Sequence, residues 1–297
     1  MSKPVLHSIH VYPLKAAGGY DPHEVVVEPW GPAGDRRWVL TDVKDRIITQ
    51  RAHPRMALVR TGSVDGGAIV VSAPGREPLT VPVPVPGPGG TATVEIWNDK
   101  VEGVLAGVTA DAWFSDFLGL PVRLVHLDDP ATRRPLDPRF ARPGETVGFA
   151  DGYPLLVTTL ASLDALNTLI ARGDRPAEGP LPMNRFRPNI VVGGTAAWAE
   201  DGWSRIAVGE VVLRVAKMCG RCVVTTTDQT TAGRGREPLR TLARHRRFGD
   251  KLVFGQNLVP ESPGSVRVGD PVRILEQDFG QNSVRGTPGP GTAVESV

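Results

Sequence analysis

The apolar residues of this chain come in short runs, many of them β-branched, and nearly every run stops at Gly, Pro or Asp. Residues 5–12, 24–28 and 37–41 are three such runs within the first fifty positions. A chain punctuated at this spacing builds short strands joined by turns and leaves little room for long helices. The 34 glycines and 28 prolines among 297 residues point the same way, to a loop-rich, mainly β protein. Residues 42–45 separate 38–40 from 47–49, which predicts a hairpin, and further strands are predicted near 57–61, 68–72, 91–97 and 100–105. Thr109 is expected to cap a helix whose apolar stripe is Trp113, Phe114, Phe117 and Leu118, stopped by Gly119 and Pro121.

After a strand at 122–126, residues 128–151 are polar and Pro-rich without apolar periodicity, and the domain junction is placed there. A second β-rich set follows: a strand at 155–158, a helix bearing Leu160, Leu163, Leu166, Leu169 and Ile170, and strands near 189–192, 211–215 and 223–226. A short basic helix is expected at 239–247, with apolar alternation resuming at 252–254 and 265–275. The length suits two medium domains, 3–126 and 127–277. The tail at 278–297 holds almost no large apolar residue, cannot offset its ordering entropy, and is expected to be disordered.

A formal charge of +2 gives no field that would favour nucleic acid. No stretch approaches the roughly 18 apolar residues of a membrane span, and the first residues run into a strand pattern without an apolar leader. The expectation is a cytoplasmic protein with neither nucleic acid nor membrane as partner.

Only two cysteines occur, Cys219 and Cys222, too few for a secreted disulfide framework. None of the six histidines lies at metal-ligand spacing from them, which disfavours zinc. A thioredoxin-type pair wants a strand before and a helix after, whereas a strand is expected to follow here. Two readings remain open: a thiolate that ligates a soft metal beside the positive Arg221, or two small side chains packed in a core. Upstream, Arg187 and Asn189 stand next to an expected buried strand. The guanidinium suits a phosphate or planar anion and the amide a heterocycle, set against the plainer reading of a surface ion pair.

Five segments taken together resemble a known family. They are Cys222 leading into Val223-Val224-Thr225-Thr226-Thr227-Asp228, Arg187-Pro188-Asn189, Tyr12-Pro13-Leu14-Lys15, Asp35-Arg36-Arg37-Trp38 and Val268-Gly269-Asp270-Pro271-Val272. Taken in chain order they resemble the MOSC-domain family, and within it the amidoxime-reducing components and their bacterial relatives. The resemblance implies a mainly β fold with peripheral helices (α+β), an N-terminal β-barrel-like domain packed against a C-terminal MOSC β-barrel domain. It also implies a molybdenum-pterin cofactor whose metal is bound by Cys222, the cysteine of the Arg-Cys pair. Cofactor contacts implied by the same motifs are Lys15, Arg36, Arg187 and Asn189. Thr159, where relatives place a serine, could reach the phosphate or act only as a helix cap. Gly220 and Arg221 border the metal ligand, residues 254–257 resemble a stretch near the pocket, and Cys219 falls where relatives vary. Relatives often carry Ser after the lysine; Ala16 stands here and removes one hydroxyl contact. Asp228 is assigned a catalytic proton relay, against the plainer role of capping a turn. Pyridoxal phosphate binding is a further expectation at the level of the family.

The implied activity is two-electron reduction of small N-oxygenated substrates such as amidoximes and hydroxylamines to the amidine or amine and water. The chain has no Gly-x-Gly-x-x-Gly fingerprint and no further cysteines, so a separate flavoprotein, ferredoxin or cytochrome is expected to deliver electrons. Two other readings compete: a sulfur-transfer protein carrying a persulfide on Cys222, and a non-catalytic cofactor carrier.

Overall fold

A computed structural model describes residues 3–87 and 90–278 of the chain. The tail expected to be disordered lies, past Asp278, outside the described residues. The first half gives β1 (Val5–Ile9), β2 (Glu24–Glu28), β3 (Gly31–Pro32), β4 (Trp38–Asp42), β5 (Arg60–Ser63), β6 (Ile69–Ala73), β7 (Arg76–Val81), β8 (Thr91–Ile96), β9 (Asp99–Leu105), the helix α1 (Val108–Leu118) and β10 (Val122–His126). Strands β4, β10, β9 and β8 form one sheet and β5, β6 and β7 another. Trp113, Phe114 and Phe117 of α1 close over Trp38, Leu40 and Leu124 in a shared core. Each large apolar side chain buried there stabilises the unit by about 1.5–3 kcal/mol.

The helix is capped by the backbone of Gly107, and Thr109 lies one residue inside its first turn, so the expected side-chain cap is absent. Gly119 ends it in the left-handed conformation, as expected. The hairpin's second arm stays a bridge, Ile47 to Thr41, and does not become a strand. Pro54 opens a 3-10 turn over Pro54–Leu58, and the strand expected near 57–61 begins only at Arg60.

The second half gives β11 (Leu155–Thr159), α2 (Leu160–Ala171), β12 (Ile190–Gly193), β13 (Trp203–Val208), β14 (Val211–Gly220), α3 (Leu239–His245), β15 (Arg247–Phe248), β16 (Lys251–Pro260), β17 (Gly264–Arg267) and β18 (Val272–Gln277). One eight-stranded sheet runs β1-β12-β11-β16-β14-β13-β18, with β15 paired to β16. A bridge between Val5 and Pro271 joins its two ends, so the sheet closes into a barrel around Leu6, Ile9, Val157, Ile190, Ile206 and Leu258. The first strand of the chain is therefore a stave of the barrel built by the second half, and β2 pairs with β17 beside it.

Residues 223–226 form a 3-10 turn, Val223–Thr226, where a strand was expected. The hydroxyls of Thr225 and Thr226 donate to the carbonyls three residues back, Cys222 O at 2.9 Å and Val223 O at 2.8 Å, which favours a helical turn over the β preference of this Val/Thr run. The cysteine pair thus has the expected strand before it, but a single 3-10 turn after it where a strand was expected.

Candidate functional site

The barrel strand β14 carries the site, and it does so by being irregular. Its register against β16 slips between Val215 and Lys217 and again between Met218 and Gly220. On a regular strand alternate side chains face opposite ways; these bulges break the alternation, and all of residues 217–222 line one cavity of about 670 Å³. Cys222 is half-buried at its wall, and its Sγ has no hydrogen-bond partner among the described residues. The Cys219 Sγ accepts from Arg221 Nη1 at 2.7 Å.

The opposite wall comes from the first unit. Lys15 is buried and its Nζ donates to Phe149 O at 2.7 Å and to Asp151 Oδ1 at 2.6 Å. Burial pulls the Lys15 pKa down against the pull of Asp151, and the Lys15 ammonium holds Asp151 well below the usual carboxylate range. Arg36 and Arg187 both stack on the Tyr12 ring, each 4.3 Å from its centroid. Arg36 also pairs with Asp35 at 2.5 Å, while Arg187 Nη1 donates only to the Ala17 carbonyl, at 2.6 Å. Burial, helped by the neighbouring Arg36, lowers the Arg187 pKa to about 10, so the guanidinium stays charged at neutral pH. Burial pushes the Tyr12 hydroxyl up to about 12.

Backbone strain gathers at this cavity. Of the seven non-glycine residues with positive φ among the described residues, four line it: Ala16, Arg36, Trp97 and Arg187. Such conformations cost about 1–3 kcal/mol each and persist where surrounding packing enforces them.

Seven of the nine residues singled out from the sequence line the cavity: Lys15, Arg36, Arg187, Asn189, Gly220, Arg221 and Cys222. Asn189 does so with its side chain already engaged, accepting from Leu156 N at 3.2 Å and donating to His10 O at 3.1 Å. It ties β1 to β11 and β12, so its part is to hold the wall in place.

The other two residues lie off the cavity. The Thr159 side chain accepts from Ser162 N as the cap of α2 and lies within hydrogen-bond distance of Ser162 Oγ and Glu200 Oε2; it is fully buried and off the cavity. Asp228 also lies off the cavity. Its carboxylate accepts from the Thr230 hydroxyl, from the amides of Thr230 and Thr231, and from Arg185, bonds that hold its pKa well below the usual range. These bonds engage the carboxylate as a turn cap and as an anchor for Arg185.

Sequence reasoning missed Arg51, Trp97, Arg185, Lys217 and Lys251, which also line the cavity. Arg185 was within reach, two residues before Arg187 in the same segment. Arg51 and Trp97 come from turns of the first unit that carry no local signal. With these, eight cations line the cavity (Lys15, Arg36 and Arg51 from the first unit; Arg185, Arg187, Lys217, Arg221 and Lys251 from the barrel side) against the two carboxylates of Asp151 and Asp250. The buried Nε–H groups of Arg185 and Arg221 have no acceptor among the described residues. An anionic, hydrogen-bond-accepting ligand would satisfy both the charge and these donors, and the cysteine sulfur would meet a soft metal on it. The residues present therefore fit a metal cofactor bearing a phosphate.

Comparison with known proteins agrees with this geometry. The MOSC N-terminal beta barrel domain matches residues 3–121 and the MOSC domain residues 144–273. The chain is 31% identical to mitochondrial amidoxime-reducing component 1 of Homo sapiens over 285 residues, covering 90% of this chain and 82% of that protein. It is also 31% identical to the Mus musculus protein of the same name, over 90% of this chain and 81% of the other. Mitochondrial amidoxime reducing component 2 of Homo sapiens is 32% identical over 88% of this chain and 81% of its own length. With two ordered β domains, a cysteine at the wall of a cation-lined cavity, and this similarity along nearly its whole length, the chain belongs to the MOSC-domain family that includes the mitochondrial amidoxime-reducing components.

Proposed function

We propose that the chain is a molybdenum-cofactor-dependent oxidoreductase that reduces small N-hydroxylated compounds, amidoximes and hydroxylamines among them. The observation that carries this reading is the cavity itself. It brings Cys222, whose sulfur has no hydrogen-bond partner among the described residues, together with Arg187 and Arg221, which donate to carbonyls and a sulfur and form no direct ion pair with a described carboxylate. The names of the relatives, amidoxime-reducing components, supply the substrate class.

When bound, the molybdenum-pterin cofactor supplies the two-electron chemistry that removes oxygen from nitrogen. Cys222 would give the metal its protein ligand. Arg187 and Arg36, held by the Tyr12 ring, and Lys15, held by Asp151, would receive the anionic end of the cofactor. Arg221 is fixed by the Phe186 carbonyl and by Cys219, which sets the loop that presents Cys222. Electrons would arrive from a separate flavoprotein, ferredoxin or cytochrome. A cytoplasmic location is part of the proposal, whereas the relatives above are mitochondrial by name; no described helix is long and apolar enough to cross a membrane.

The test is turnover. Protein made in a host that synthesises the cofactor should convert benzamidoxime to benzamidine with a chemical electron donor, at a rate proportional to its molybdenum content. Fully metallated protein that reduces no N-hydroxylated compound contradicts the proposal. Metal-free active protein with a persulfide on Cys222 favours sulfur transfer in its place.

A further inference from the structure

One large aromatic side chain at the cavity is held where neither folding nor solubility would put it. Trp97 occupies the first position of the two-residue loop between β8 and β9, whose register pairs Ile96 with Asp99. Its φ is 57°, in the left-handed region that glycine normally fills in such loops. The residue is 62% exposed, although an indole gains most from burial. Two contacts fix it there. Its Nε1–H donates to Asp151 O at 3.1 Å, tying the hairpin tip to the segment that also holds Lys15, and the Arg51 guanidinium lies 4.6 Å from its ring centroid. Arg51 is steadied in turn by the Asp151 carboxylate, 3.9 Å away. A strained backbone, an exposed ring and a stacked cation at the mouth of a cavity are what a recognition surface requires.

We infer that Trp97, steadied by Arg51, is the specificity wall of this site, on which the planar, π-conjugated part of an N-oxygenated substrate stacks. Aromatic amidoximes and N-hydroxylated heterocyclic amines are thereby preferred over aliphatic ones. The inference rests on the reductase reading of the cavity. Cys222 and the cations of the barrel wall concern the cofactor; Trp97 stands on the first unit's hairpin and concerns what is brought to it. An indole face and a flat conjugated group gain about 0.5–1.5 kcal/mol from offset stacking, which corresponds to a preference of roughly two- to tenfold.

The experiment compares benzamidoxime with acetamidoxime, which share the reacting group and differ in the ring, on cofactor-loaded wild-type protein, Trp97→Leu and Trp97→Phe. The ratio of kcat/KM for benzamidoxime over acetamidoxime should fall roughly two- to tenfold in Trp97→Leu and return toward wild type in Trp97→Phe. The ratio of the two dissociation constants, measured by calorimetry on oxidised protein without an electron donor, should move by the same factor. Equal ratios in wild type and Trp97→Leu overturn the inference. So does a drop in molybdenum content in Trp97→Leu, which would assign the indole to the cofactor. Metallated wild-type protein that binds benzamidoxime through Trp97 yet reduces neither compound sinks the reductase reading and leaves the stacking wall standing.

Discussion

The two units that meet at the cavity handle charge differently. On the first unit's side each central cation arrives with a carboxylate: Lys15 with Asp151, Arg36 with Asp35. On the barrel side Arg187 and Arg221 donate to the carbonyls of Ala17 and Phe186 and to the Cys219 sulfur, neutral partners, and Asp35 and Asp151 act on Arg187 only from beyond ion-pair distance. Arg185 is the exception there, paired with Asp228. The barrel thus supplies the attraction for an anion, and the first unit supplies shape and position. Their buried titratable groups are opposed as well: burial favours the neutral ring of His126 in the first unit and the protonated carboxyl of Glu200 in the barrel unit.

That opposition gives the largest expected effect. Burial, reinforced by the charge of Arg37, holds the His126 pKa at about 4, below its ordinary 6.5, so the unfolded chain binds that proton more tightly. Stability tied to the neutral ring is complete above pH 6.5 and is lost as the pH falls to 4, at most about 3 kcal/mol. Burial raises Glu200 to about 7 from 4.5, so the folded chain binds this proton more tightly. Its contribution is complete below pH 4.5 and is lost as the pH rises to 7, again at most about 3 kcal/mol. The two slopes offset each other between pH 4.5 and 6.5 in the wild type. Thermal melts of Glu200→Gln should therefore show stability rising with pH across that window, and those of His126→Gln should show it falling. Parallel profiles in the two variants would break the comparison.

Next in size is the grip on the cofactor. Arg187→Ala removes a cation that forms no direct ion pair among the described residues and should weaken cofactor retention by about 1.5–3 kcal/mol, read as pterin lost on dialysis. Lys15→Met should cost retention less, about 1 kcal/mol or below, because Asp151 already offsets the ammonium; its larger effect should fall on the melting temperature, through the Phe149 carbonyl left without its donor. Equal losses of pterin in the two variants would contradict the division of labour.

The smallest effect concerns Thr159. Thr159→Ala should lower stability by about 1 kcal/mol through loss of the α2 cap and leave pterin content as it was. Loss of pterin would restore Thr159 to the phosphate.

The sequence-level reading succeeded where local chemistry and tertiary structure agree. Strands β2 and β10 lie where alternation placed them, and Gly119 stops α1 as its conformational freedom predicts. It failed where side chains acted on the backbone: the hydroxyls of Thr225 and Thr226 turned a β-branched run into a 3-10 turn. It missed β7, which carries Pro78 and sits at a sheet edge, where a missing N–H is tolerated. At the cavity, motif residues close to Cys222 or Arg187 could be found from the chain alone. Arg51 and Trp97 could not, because they stand far from Cys222 and Arg187 along the chain and only the tertiary fold brings them to the same cavity. The bulges that turn six consecutive residues of 217–222 toward one space are likewise a property of pairing with β16, invisible until that partner is known.

The central claim, that Cys222 carries a cofactor-bound metal, is tested most directly by elemental and pterin analysis of protein produced in a cofactor-competent host, with Cys222→Ser prepared in parallel. The account predicts near-stoichiometric molybdenum in the wild type and its loss in the variant. Wild-type protein without molybdenum or pterin, or a Cys222→Ser variant that holds the metal as well as the wild type, would contradict it.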